Sequence, residues 1–443
     1  MTHDSEAKVS LPVEDSLYLG IDFGTSGCRA IVINDQQKII ADANQLLPSP
    51  EHLCGRIQQS AALWLESLHS LFQQLAEKLD LQQISRLAID GTSGSVLICN
   101  DQGKALLPAL MYNDASSFEA LQTNKQHCPS AQHITMSVSS GLAKAIQLCD
   151  DFSLDANLKI LNQADFLTNS LCGMWGFSDY HNALKLGYDV EKLLWPEWIV
   201  DILPQHSLPE VLQPGDVIGT IAETFCEKYG FSKTCEVCAG TTDANAAFIA
   251  TQSIHAGDAV TSLGSTLVLK ILNTHFIQDL QSGVYSHKLG DLWLTGGASN
   301  AGGAILRECF TDEEIQQQSA EINLNQPTGL DYYPLTTTGE RFPDPDPNKK
   351  PVLTPRPDSD VTFLQAILEG LSKIEQTGYQ KLFQLGTVKP TQIQTCGGGA
   401  KNPQWGKMRS MLLDLPVKPA THTDACFGSA LLAFQGLTPY IKR

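Results

Sequence analysis

Asp22, Asp243 and a set of glycine and hydroxyl residues are the parts of this sequence equipped for chemistry. Asp22 ends an apolar run in "LYLGIDFGTSGCRAIVIND", positions 17–35, and Gly24, Thr25, Ser26 and Gly27 follow before apolar residues resume. A plain hairpin needs one or two turn residues. This link is longer and is suited to receiving a ligand. Glycines let backbone N–H groups approach a ligand, Thr25 and Ser26 add hydroxyl donors, and the Asp22 carboxylate suits a cation. A polar hairpin turn without a ligand is the other reading of the stretch taken alone.

Three further stretches have the same character. In "AGTTDANAAFIA", positions 239–250, Asp243 follows a strand and two threonines and precedes an alanine-rich helix. There it could take a proton from a reacting group or simply cap the helix. "SLGST", positions 262–266, repeats the strand–glycine–hydroxyl pattern. In "CGGGAKNPQWGKM", positions 396–408, three glycines end a strand and Asn402-Pro403 opens a helix carrying Trp405 and Met408. Glycines at a helix entry make room for a flat or anionic ligand. Trp405 reads either as part of that pocket or as plain core.

Strands and helices that position such turns are mixed along the whole chain, an α/β pattern. Leu65, Leu68, Phe72, Leu75 and Leu79 recur at helical spacing and predict a core-facing helix over 57–79. Strand–turn–strand near position 22 returns near position 264, so two similar halves are expected. The 443 residues exceed one ordinary core and predict two domains of roughly 200 residues. The proline-rich stretch at 339–360 reads as a loop inside the second of them.

Composition excludes several classes. Hydrophobic residues are 42% and charged residues 18%, as in a folded soluble domain. The net charge of −18 argues against broad nucleic-acid or anionic-membrane binding. No apolar run approaches the ~18 residues of a membrane span. Residues 1–16 lack a basic start and an apolar segment, and are expected to be a disordered leader. Twelve irregularly spaced cysteines suggest reduced thiols in a cytoplasm. Cys235 and Cys238 read as small buried strand residues.

The chain resembles the FGGY family of carbohydrate kinases, within the superfamily of actin, hexokinase and heat-shock-chaperone ATPases. The residues that carry the resemblance are "GIDFGTSGCRA", "GTTDANAA", "SLGSTLVL", "GGGAKNPQWGKM" and the terminal "DACFGSALLAF". "DGTSGS" and "MYND" most resemble pentulose kinases of cyanobacterial and plant-plastid type. The resemblance implies two actin/hexokinase-like (ribonuclease H-like) domains facing across a nucleotide- and sugar-binding cleft. A sugar-binding domain would cover 17–250 with 424–443 packing back on it, and a nucleotide-binding domain 251–423.

The activity implied is phosphorylation of a pentulose at its terminal hydroxyl by ATP with Mg²⁺, D-ribulose ahead of D-xylulose. Asp243 would be the base, which its place on the "GTTD" turn also supports. Asp22 would hold Mg²⁺, directly or through water, and border the sugar. Ser93, Asn113 and Asp114 would reach the sugar. Thr25, Ser26, Gly264, Ser265 and Thr266 would hold the phosphates, and Gly398, Gly399, Asn402 and Trp405 the adenosine. The implied partners are a small sugar and ATP, without nucleic acid or membrane, in a monomer or homodimer. The rivals are an actin- or chaperone-like ATPase and a non-catalytic sugar sensor.

Overall fold

The computed structural model describes residues 16–152 and 157–441, so the expected leader lies outside the described residues save for Ser16. Two units emerge. The first holds the described residues up to Ala250 together with Asp424–Pro439, and the second holds Thr251–Thr423 with Tyr440 and Ile441. Tyr440, expected with the first unit, belongs to the second, where Asp291 N–H donates to its carbonyl at 3.0 Å.

In the first unit the strand Leu17–Phe23 buries Leu17, Leu19, Ile21 and Phe23 completely, the period-two pattern of a strand with a core on one face. It pairs antiparallel with Gly27–Asn34, which pairs antiparallel with Ile39–Leu46. On its other side it runs parallel to Ile84–Gly91, which runs parallel to Glu236–Cys238. The second unit repeats that plan. Asp258–Leu263 is antiparallel to Leu267–Asn273, which is antiparallel to Leu292–Ser299, and Gln392–Cys396 and Val417–Pro419 add on in parallel. The similar halves read from the sequence are therefore the same five-strand topology used twice.

The helix expected over 57–79 runs Ala61–Lys78 instead. Ile57 and its neighbours are taken up by the strand Arg56–Gln59, and the Ser60 hydroxyl then caps the helix by accepting from Ala62 N–H. The opposite face of the first sheet is covered by the helix Ala425–Gln435. A Cβ on Gly20 would lie 2.0 Å from the Cys426 carbonyl oxygen, and one on Gly428 would lie 1.8 Å from that of Ala246. Glycine at both positions lets this helix lie against the central strand and against the helix Asp243–Ala250. In the second unit the helix Asp360–Gln384 lays Phe363, Leu364, Ile367, Leu371 and Leu382 on the sheet. Cys235 and Cys238 are fully buried, and all twelve cysteines are free. No helix among the described residues is long and apolar enough to cross a membrane.

Candidate active site

Parallel pairing decides what meets in the first unit. Asp22 is opposite Asp90, and Thr241 and Thr242 are opposite Asp90 and Gly91. The carboxyl ends of three neighbouring strands therefore carry Asp22, the Thr92–Ser93 turn and Asp243, the position at which ligands collect on open α/β sheets. The Gly24–Gly27 turn is closed by Gly24 N–H donating to Gly27 O at 3.0 Å. Thr25 is half-buried and Ser26 exposed at its tip.

Asp90 was not anticipated. It is completely buried and accepts from the Ser429 hydroxyl at 2.6 Å through Oδ2. Its Oδ1 has no hydrogen-bond partner among the described residues, and Asp22 is the carboxyl opposite it across the parallel strands. Burial, then the Asp22 charge, pushes Asp90 well above the ordinary carboxylate range. Burial also raises Asp22, while the bond to Asp90 and the Arg29 charge oppose that rise. A local signal for Asp90 existed, since "IDGTSG" at 89–94 nearly repeats "IDFGTSG" at 21–27.

The turn that presents Ser93 is held from several sides. Gln163 Oε1 accepts from Thr92 N–H at 3.0 Å and from its hydroxyl at 2.8 Å, and Ser95 Oγ accepts from Tyr112 N–H at 2.9 Å. Lys144, fully buried, donates to Gly94 O at 2.8 Å and Tyr112 O at 3.0 Å, and burial pushes its ammonium down to about 7. With Thr92 and Ser95 engaged, the Ser93 hydroxyl is the one in this turn without a partner among the described residues. A buried hydroxyl of that kind calls for a ligand or water. Asp114, expected on the sugar, requires correction. It is fully buried, with Oδ2 accepting from Ile57 N–H at 2.6 Å and Oδ1 from the Ser116 N–H and hydroxyl. It organises its own loop. Asn113 beside it is exposed.

Asp243 is the first residue of its helix, and Ala244 N–H donates to its Oδ1 at 2.6 Å, so the helix entry itself orients the carboxylate. Behind it, Thr241 Oγ1 lies 2.7 Å from His181 Nδ1. Asp179 caps the turn carrying His181 by accepting from the His181 and Asn182 N–H groups. Asp179 and the neighbouring Asp165 are both buried, and desolvation raises both, with the Asp165 charge adding to the rise at Asp179. A raised carboxyl holds its proton in the folded state after the unfolded chain has lost it. The pair's stabilisation is therefore fully present in acid and is lost as pH rises through the raised range. The melting temperature of Asp179→Asn is expected to fall less than that of the parent protein between pH 5 and pH 8.5. Parallel curves would show that this pair does not titrate there.

The second unit assembles its turns by the same geometry. Ser262 is opposite Cys396 on parallel strands, so Gly264–Thr266 and Gly397–Gly399 emerge side by side. Gly397 takes φ +82°, and a Cβ there would lie 2.7 Å from Leu263 O. A Cβ on Gly398 would meet nothing within 4 Å, which leaves open space above that turn. Asn402 caps the helix Pro403–Leu413, accepting from Trp405 N–H at 3.0 Å, while its amide donates to Ser319 Oγ at 2.8 Å. Trp405 is corrected from adenine contact to support. It is 2% exposed, and its Nε1–H donates to Ser372 Oγ at 3.0 Å. A Cβ on Gly399 would lie 2.5 Å from its ring, so Trp405 lies directly beneath the glycine turn. Arg29, opposite Asp22 on the hairpin, and Arg307, bonded to Ser265, are cationic groups that the glycine-and-hydroxyl pattern did not reveal.

Residues 17–250 match the FGGY family of carbohydrate kinases, N-terminal domain, and residues 259–437 match its C-terminal domain. The xylulose kinase of Escherichia coli (strain K12) is 24% identical over 416 residues, covering 90% of this chain and 84% of that protein. Among solved structures, a xyloylose kinase from Brucella ovis superposes with a TM-score of 0.85 at 21% identity, over 96% of this chain and 92% of that one. Gluconate kinase from Lactobacillus acidophilus does so with a TM-score of 0.82 at 17% identity, over 96% and 90%. At these identities the structural likeness is one of fold.

Proposed function

Because this chain belongs to the FGGY family of carbohydrate kinases, and is thus a sugar phosphotransferase, we propose that it moves the γ-phosphoryl group of ATP to the terminal hydroxyl of a pentulose. The observation that carries this reading is the gathering at adjoining strand ends of Asp22, Asp243 and the Ser93 hydroxyl, which has no partner among the described residues. Phosphoryl transfer is chiefly positioning and charge neutralisation, with one base for the acceptor proton. Asp243 is that base. Ser93 and Asp22 pair with sugar hydroxyls, with Asn113 at the edge. Thr25, Ser26, Gly264, Ser265 and Thr266 serve the phosphates, and Gly398, Gly399 and Asn402 the adenosine.

Magnesium enters through Asp22. Among the described residues no cluster of three or more His, Cys, Asp or Glu is arranged to hold a metal by itself. A half-buried carboxylate beside a second buried carboxyl fits an ion that draws its other oxygens from phosphate and water. The ion would neutralise phosphate charge. The chain's own groups supply the base and the orientation.

The resemblance of "DGTSGS" and "MYND" favours D-ribulose, whereas relatives named xylulose kinase make D-xylulose at least as good a fit. Both belong to the proposed range. They differ at one stereocentre, so a modest preference is expected unless Ser93 reads that centre. A site paired to a given hydroxyl rejects an analogue lacking it far more strongly than the ~10–200-fold that size alone provides. The test is kcat/KM for D-xylulose, D-ribulose, L-ribulose, glycerol and gluconate at saturating Mg-ATP, with ADP release measured also without sugar. One of the two D-pentuloses should be best. Glycerol or gluconate as best acceptor would overturn the substrate class, and rapid ADP release without sugar would favour the ATPase rival.

A further inference from the structure

Arg307 is exposed on the helix Ala304–Cys309, and its Nη2 donates to Ser265 Oγ at 2.7 Å. Close packing places it there. Gly303 N–H donates to Gly264 O at 2.8 Å and Ala304 N–H to Ser265 O at 3.2 Å. A Cβ on Gly302 would lie 2.5 Å from the Ser265 carbonyl oxygen and the Thr266 Cα, and one on Gly303 would lie 2.8 Å from Gly264 O. The 302–304 segment therefore lies flat on the 264–266 turn, and no larger residue would let it. In a chain of net charge −18, none of the ion pairs among the described residues includes Arg307.

A guanidinium donates and never accepts. Ser265 must therefore receive the Arg307 bond on a lone pair, which leaves its own O–H hydrogen to be donated elsewhere. The neighbouring cation also makes that O–H a stronger donor toward an anion. We propose that Arg307 is a positioning residue for the terminal phosphates of the nucleotide. It orients the Ser265 hydroxyl and adds positive charge, so that a nucleoside di- or triphosphate is held in preference to a monophosphate. This rests on reading the 264–266 turn as a nucleotide-phosphate site.

The experiment compares the full chain with Arg307→Met, Arg307→Lys, Ser265→Ala and the double variant Arg307→Met/Ser265→Ala. Dissociation constants for ADP and AMP are measured by calorimetry, alongside KM for ATP, kcat and melting temperature. Loss of a charge-assisted bond corresponds to about tenfold or more in affinity. Arg307→Met should weaken ADP by about tenfold and raise KM for ATP, with AMP changed less than about twofold and no change in melting temperature. Arg307→Lys should recover part of the loss. The double variant should lose less than the product of the two single losses, because both act through one contact. ADP and AMP weakened alike, or neither weakened, would overturn the proposal. If the parent protein binds no ADP and phosphorylates no sugar, the reading of the site fails first. If it binds ADP and Arg307→Met binds it equally well, the proposal about Arg307 fails alone.

Discussion

Replacing Asp243 with alanine is expected to remove phosphoryl transfer, lowering kcat by about 10²-fold or more, while ADP still binds with near-parental affinity. A base acts on the proton of the acceptor hydroxyl as the new bond develops, so its loss is felt in the transition state rather than in nucleotide binding. Asp243 opens its helix with one carboxylate oxygen held by Ala244 N–H, which fixes the direction of the group. The same geometry is what a structural cap would show, so activity and stability have to be read together. Asp243→Asn keeps an oxygen for the backbone N–H but has no basic carboxylate. It should retain the melting temperature and lose turnover as Asp243→Ala does. Near-parental turnover in Asp243→Asn would leave the residue a helix cap and move the base elsewhere.

The second large effect lies in the core of the second unit. Arg409 and Glu375 are each 1% exposed and form a two-pronged ion pair, Nε to Oε2 and Nη2 to Oε1, both at 2.6 Å. Further hydrogen bonds hold both groups. Arg409 Nη1 donates to Thr395 Oγ1 at 2.8 Å, and the Thr261 hydroxyl, 2.9 Å from the Tyr379 hydroxyl, donates to Glu375 Oε1 at 2.6 Å. Removing one partner leaves a buried charge uncompensated, which costs about 3–5 kcal/mol. Arg409→Met is therefore expected to lower the melting temperature of this unit by roughly 10 °C. Arg409→Met combined with Glu375→Gln should recover part of that, since the orphaned charge is gone. Thr261 and Thr395 belong to the strands that end in the 263–266 and 397–399 turns, so nucleotide affinity should fall along with stability. A shift under 2 °C for Arg409→Met would mean that water or another group compensates Glu375.

Much of the site could be read along the chain because its signals are local. An apolar run from Leu17 to Ile21 declares a strand, a glycine-rich turn declares a backbone exposed for ligand, and an acid before "ANAAFIA" declares a helix entry. Those patterns need only the pleat, glycine's freedom and helix capping. The same locality explains the errors. Trp405 and Met408 at helical spacing look alike whether the helix faces a ligand or a core, and here Trp405 points inward to Ser372. Asp114 in "MYND" has the composition of a sugar ligand, yet its oxygens are taken by Ile57, 57 residues away, and by Ser116.

What the sequence determined by itself was the kind of elements, their duplication in two halves, and the turns whose residues suit phosphate and a cation. Each follows from periodicity or conformational preference within a few residues. The tertiary structure alone decided which side chains meet. Asp90 faces Asp22 only through a parallel register between strands some 60 residues apart. Among the described residues the Ser93 hydroxyl has no partner, while Gln163 and Tyr112 engage its neighbours in the turn. Arg307 reaches Ser265 only because Gly302 and Gly303 let two loops touch backbone to backbone. Such meetings depend on strand register and on close packing between distant segments, and no local pattern encodes either.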